Sequence, residues 1–111
     1  MHLAEVVSAL ELQVLTGQDR LDREVTGGCV SDLLSYTMAH ARQGYLWVTI
    51  QVHPNIVGVA ELLDLAAVIV AGGQQPEKAT LDKAREQGVA IIVSAETTFT
   101  VAGRLYQLGV R

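Results

Sequence analysis

The sequence predicts an α/β fold with three layers, α/β/α, around a small and mostly parallel sheet of about five strands. Three observations carry this reading. Short strand-like runs alternate with segments of helical period, and that alternation implies parallel strands joined by helical crossovers. The run Ala66–Ala71 is nearly continuously apolar, as a central strand covered on both faces must be. Glycine or proline stands at most borders between segments, where the chain must turn.

Leu3, Val6, Val7 and Leu10 recur at helical spacing and predict a first short helix. Leu12–Leu15 follows as a strand closed by Gly17, and the polar stretch Gln18–Glu24 is predicted to be a surface loop. Val25–Val30 is the second strand, unusual for its two internal glycines. Ser31-Asp32 has the form of an N-cap with an acid in the first turn. The helix it opens runs through Leu33, Leu34, Met38 and Ala41 and stops at Gly44.

Tyr45–Val52 is the clearest strand, with Leu46, Val48, Ile50 and Val52 on one face and Tyr45, Trp47, Thr49 and Gln51 on the other. Pro54 suits the first turn of a helix through Ile56, Val57, Ala60 and Leu63. After the central strand, Gly72-Gly73 make a turn, and Pro76-Glu77 open a helix that passes Leu81 and Ala84 and ends at Gly88. Val89–Val93 is the fifth strand. The last helix, Thr97–Leu108, carries Phe99, Ala102, Leu105 and Leu108 on one side. The first two strands have no helix between them, so that end of the sheet is expected to depart from parallel pairing.

Composition narrows the function classes. The 111 residues suit one domain spanning 1–111, and half of them are hydrophobic, enough for a sizeable core. The longest apolar candidate, Leu65–Ala71, falls far short of the roughly 20 residues of a membrane span. The start, Met1-His2-Leu3-Ala4-Glu5, carries an acid at once, unlike a secretory signal. Cys29 is the only cysteine, which rules out an internal disulfide and any thiolate cage. These features predict a reducing cytoplasm. A net charge of −4 with scattered basic residues argues against nucleic acid as a partner.

Candidate site residues come from the loops at the carboxyl ends of strands, where ligands gather in open α/β sheets. Thr26-Gly27-Gly28 leads to Ser31, Val52-His53-Pro54-Asn55 joins strand to helix, and Gly72-Gly73-Gln74-Gln75 does the same further on. Glycines let backbone N–H groups approach a ligand, and Arg20 and Arg23 offer forked contacts to a phosphate or carboxylate. The plainer reading treats the glycines as turn punctuation and Arg20, Asp22, Arg23 and Glu24 as a solvated charged loop. Neither G-x-G-x-x-G nor G-x-x-x-x-G-K-[ST] occurs, and no spacing points to a metal or another cofactor. His53 has the position for acid–base work, with helix capping as the simpler role. Cys29 reads as a small buried core residue, and Trp47 as filling beneath a helix.

The run Asp22-Arg23-Glu24-Val25-Thr26-Gly27-Gly28 resembles the signature of the DRTGG domain family, with Asp22, Arg23, Thr26, Gly27 and Gly28 supplying its five eponymous residues. The following segments agree with it: Val30–Ser35, His53-Pro54-Asn55, Ile69–Gly73, and the close Gly103-Arg104-Leu105-Tyr106. Such domains occur beside CBS domains in regulated pyrophosphatases, in some phosphotransacetylases, and alone. They are also similar to the N-terminal domain of HPr kinase/phosphorylase, whose chemistry lies in a separate phosphate-binding domain. The resemblance implies a three-layer fold, a regulatory or assembly role and frequent dimers, and it supplies no catalytic residue.

Physically, Gly27 and Gly28 permit a bulge or a close backbone approach, and Asp22 is placed to cap a turn with Arg23 as its clamp. The leading expectation is thus a non-catalytic homodimeric module binding a small anionic ligand, nucleotide-like or phosphorylated, or a protein partner. One alternative is a purely structural interaction subunit using the Val, Leu and Tyr106 surface of the last helix. Another is a small phosphoester hydrolase pairing His53 with Asp22 or Glu24. A pocket around Arg23, Gly27, His53 and Gly72 would favour sensing.

Overall fold

The computed structural model describes all 111 residues, Met1–Arg111. Its elements in chain order are α1 (Leu3–Leu10), β1 (Gln13–Val14), a single 3-10 turn (Gln18–Arg20), β2 (Gly27–Val30), α2 (Leu34–His40), β3 (Tyr45–Thr49), α3 (Asn55–Leu63), β4 (Ala67–Val70), α4 (Lys78–Gln87), β5 (Ile91–Val93) and α5 (Thr98–Leu108). The five strands form one sheet in the order β1-β5-β4-β3-β2. β2 through β5 are parallel, and β1 runs antiparallel against β5 with Gln13 opposite Val93.

Because β2, β3, β4 and β5 are spatial as well as sequential neighbours, three crossovers of one hand put α2, α3 and α4 on the same face. Beyond β5 the chain changes sides, and α5 packs with α1 on the other face. The strand period of two divides the core accordingly. Leu46 and Val48 join Leu3, Val6, Leu10, Val101 and Leu105 in one apolar cluster. Trp47, Val68 and Val70 join Ile56, Val57, Ala60 and Ala84 in the other. Trp47 is fully buried there, and its indole N–H donates to the Ser31 carbonyl at 2.8 Å.

Four details depart from the sequence reading. The non-parallel end of the sheet is β1 alone; β1 and β2 are not neighbours but lie at opposite edges. The polar stretch between them is long enough to cross beneath the whole sheet. β3 ends at Thr49, short of the expected Val52, and α2 starts at Leu34 with Leu33 as an N-cap that makes no side-chain bond. One residue accounts for both. The Asp32 carboxylate turns away from α2 and accepts the Ile50 N–H (2.9 Å) and the Thr49 hydroxyl (2.8 Å), which halts the β3 ladder. Finally, Phe99 lies outside the core at 88% exposure. The inward line of α5 is Val101 and Leu105, and at 100° per residue Phe99 points about 200° away from Val101.

Candidate functional site

The predicted site residues separate to the two ends of the sheet. Asp22, Arg20, Arg23 and Thr26 sit at the lower end, where the parallel strands begin. Ser31, His53, Asn55, Gly72 and Gly73 sit at the upper end, where they finish. Gly27 and Gly28 open β2 between them. The single pocket uniting Arg23, Gly27, His53 and Gly72 is therefore not formed.

At the lower end, residues 16–26 run as a belt from the β5 edge to the β2 edge and fasten the entry of each strand in turn. The Thr16 hydroxyl donates to the Val89 carbonyl (2.8 Å) and accepts the Ile91 N–H (2.9 Å), so it fixes β5 from a fully enclosed position. The Arg20 guanidinium lies beside Gly88, which ends α4. Arg23 Nη2 donates to the Asp64 carbonyl at 2.8 Å and faces the Asp64 carboxylate at 3.0 Å, at the residue that ends α3 and leads into β4. Thr26 donates its hydroxyl to the Gln43 carbonyl (2.7 Å) and its N–H to the Gly44 carbonyl (3.0 Å), at the entry to β3.

Both arginines thus stand at helix C-termini, where the exposed carbonyls and the helix dipole favour a cation. That engages the charge of Arg23, whereas the Arg20 side chain makes no hydrogen bond and its Nε is buried without a partner. Arg23 clamps Asp64, not Asp22, which stays exposed beside His2, Glu5 and Leu21. Desolvation, the largest influence on Asp64, pushes its carboxyl up. Hydrogen bonds from Arg23 and Gln43 and the charges of Arg23 and Arg20 outweigh it and hold the group below its usual 3.8.

The glycines have equally local reasons. A Cβ on Gly27 would lie 2.6 Å from Tyr45 Cε1, because the tyrosine ring covers that strand position. Gly44, at φ +81°, gives Thr26 the close approach it needs: a Cβ there would stand 2.7 Å from the threonine hydroxyl.

At the upper end, Asp32 is the organising residue that the sequence reading assigned only to a cap. Besides its two carboxylate bonds, its carbonyl accepts Gln51 Nε2 at 2.9 Å. Ser31 closes a tight local turn, its hydroxyl bonding the Leu33 N–H at 3.0 Å. His53 Nδ1 accepts the Asn55 N–H at 3.0 Å, so this exposed ring caps the start of α3. Asp22 and Glu24 lie at the far end of the sheet, and Glu24 faces His2 at 3.4 Å, so the proposed His53–carboxylate pair is not assembled. Gly72 and Gly73, at φ +74° and +71°, tie the β4 loop to the β5 loop through N–H bonds to the carbonyls of Glu96 (2.7 Å) and Ser94 (3.0 Å).

A third region lies on the outer face of β2. Three helices cover one side of the sheet and only two the other, so β2 is left open beside α5. Gly28, Val30, Val48, Ala102, Leu105, Tyr106, Val110 and Arg111 line a hollow of about 270 Å³ there. Val30, Ile50 and Tyr106 are 46%, 45% and 60% exposed. Arg111 stacks on the Tyr106 ring at 4.4 Å. Cys29 forms part of the wall, and burial pushes its thiol up against an opposing hydrogen bond with Thr37. No helix is long and apolar enough to cross a membrane.

Comparison with known proteins places this geometry. The crystal structure of the CBS and DRTGG domains of the regulatory region of Clostridium perfringens pyrophosphatase, complexed with the activator diadenosine tetraphosphate, superposes with a TM-score of 0.75. The match covers 96% of this chain and 46% of that one at 16% identity, so it speaks to the fold, and the chain spans less than half of that regulatory region. No curated protein sequence matches the chain. The profile of the DRTGG domain matches residues 5–108, nearly end to end and across the Asp22–Gly28 signature. The chain belongs to the DRTGG domain family.

Proposed function

We propose that this domain is a regulatory module without chemistry of its own, working as a homodimer whose contact is the open face of β2 and α5. One observation carries the reading: the sheet is covered on that side by two helices where the other side has three, and apolar groups fill the gap. The face supplies both a hollow, floored by Gly28 and walled by Ala102 and Tyr106, and a ring to fill one, Phe99 at 88% exposure. Hollow and ring on one surface are what a two-fold contact between identical chains requires. A standard contact of about 800 Å² per partner would use about one seventh of the 5607 Å² surface.

Sedimentation equilibrium at micromolar concentration tests this. A dimer that becomes a monomer in Val30→Lys and in Phe99→Lys, with unchanged circular dichroism, is the expected result. A monomeric wild-type chain overturns the proposal.

A second reading, response to a small anionic ligand of nucleotide type, is favoured by the activator held in the pyrophosphatase regulatory region. Arg23 is engaged with the end of α3, which leaves Arg20 and the helix starts at the upper end as the groups such a ligand would meet. Thermal-shift screening of nucleotides separates this from a module that only assembles.

A further inference from the structure

We infer that the crevice between the upper ends of β4 and β5 is a binding site for a small molecule presenting amine N–H donors. The fold places it. β4 leads into α4 on one face of the sheet and β5 leads into α5 on the other, so the two connections part and leave a gap at the strand ends. A gap of this origin is where open α/β sheets hold ligands. Here it measures about 250 Å³, small enough to suit a molecule the size of an amino acid or a nucleobase.

The lining sets the chemistry. Glu11, Gln13, Gly73, Gln75, Val93, Ser94 and Ala95 surround the crevice. They bring one carboxylate, two carboxamides and one hydroxyl, and no cation. The carboxylate accepts only, while the two carboxamides and the hydroxyl both donate and accept, so the one charge of the set favours an amine and disfavours phosphate. The walls are fixed beforehand, since the Gly72 and Gly73 N–H groups bind the β5 loop, and β1 pairs with β5 at Gln13–Val93. The Ser94 hydroxyl oxygen accepts the Glu96 N–H at 3.1 Å, which leaves its own proton for an outward bond.

Glu11 ends α1 at φ 52°, ψ 47°, a left-handed conformation in which glycine is the ordinary residue. Asp64 ends α3 in the same conformation at φ 54°, so the backbone there is a helix-end device and it is the charge of Glu11 that bears on the crevice. In this position Glu11 carries the crevice's only charge.

Titration of the full chain by amide NMR tests the assignment, with putrescine, adenosine and inorganic phosphate as probes. Saturable shifts at Gly73, Gln75 and Ser94 with putrescine indicate an alkylammonium ligand, and with adenosine an aromatic amine. Glu11→Gln is expected to weaken that binding about tenfold or more, and Gln75→Ala by a smaller factor. Val30→Lys should bind as wild type does, so loss of the dimer and loss of this site are read separately. The inference is overturned if neither amine saturates, if Glu11→Gln binds as tightly as wild type, or if phosphate shifts the same residues.

Discussion

Replacing Arg23 by alanine distinguishes a signature that builds the fold from one that binds a ligand. The side chain is 21% exposed and makes two contacts with Asp64, one to the carbonyl and one to a carboxylate that is itself 52% exposed. The carbonyl bond is charge-assisted and lies at the surface, worth about 1.5 kcal/mol net. The half-exposed ion pair adds at most about 0.5 kcal/mol after solvent screening. Arg23→Ala should therefore cost about 2 kcal/mol. In a domain of this size that lowers Tm by about 8 °C.

Urea and thermal unfolding at pH 7 measure it. Arg23→Lys should recover less than half, because an ammonium cannot serve both acceptors with the fork's geometry. The sign with pH follows from Asp64. Its folded carboxyl is held below 3.8, so its stabilising share is present above that value and is lost as pH falls through the folded one. The gap between wild type and Arg23→Ala should narrow below about pH 4, leaving the carbonyl bond's part. A Tm within about 2 °C of wild type, together with lost binding of some anion, would refute the helix-end role and return Arg23 to a ligand site.

Three further changes test other parts of the scaffold. Gly27→Ala drives a methyl into the Tyr45 ring and should cost about 1–3 kcal/mol in urea unfolding, with much of the loss recovered in the double variant Gly27→Ala/Tyr45→Val. Asp32→Ala removes two hydrogen bonds of 2.8 and 2.9 Å at the end of β3 and should cost about 2 kcal/mol, while Asp32→Asn retains an acceptor and loses about half as much. Glu11→Gly relieves the left-handed backbone and should raise stability by about 0.5–1 kcal/mol, the native-state relief exceeding the added freedom of the unfolded chain. A fall in Tm on that change would show the Glu11 side chain to be stabilising in its own right.

The elements whose periodicity comes from burial were the legible ones. β4 is apolar throughout because helices cover it on both sides, and β3 alternates between two different apolar clusters. What the sequence did not reveal depends on hydrogen bonds between distant segments. Nothing local in Ser31-Asp32 distinguishes a helix cap from an acid that reaches across to Thr49 and Ile50, since both need a carboxylate after a strand. Phe99 looked like core because a helical stripe is defined only up to rotation, and Val101 with Leu105 provides the competing line. The candidate site was misjoined for a related reason. Loop composition identifies strand ends without saying which end of the sheet a loop occupies, and only the route of residues 16–26 beneath three strands decides that.

That route also gives the Asp22–Gly28 signature a physical meaning that charge and glycine content alone left open. A sheet with order β1-β5-β4-β3-β2 needs one connection that travels its full width, about 19 Å from β1 to β2. A polar connection of that length loses much entropy on ordering and needs anchors along its way. Thr16, Arg23 and Thr26 are those anchors. Gly44 makes room for Thr26 from the opposite side, and Gly27 receives the Tyr45 ring. The signature then marks the sequence cost of closing this topology. It follows that substitutions in the belt should act first on stability and those at Glu11, Gln75, Val30 or Phe99 first on binding or assembly.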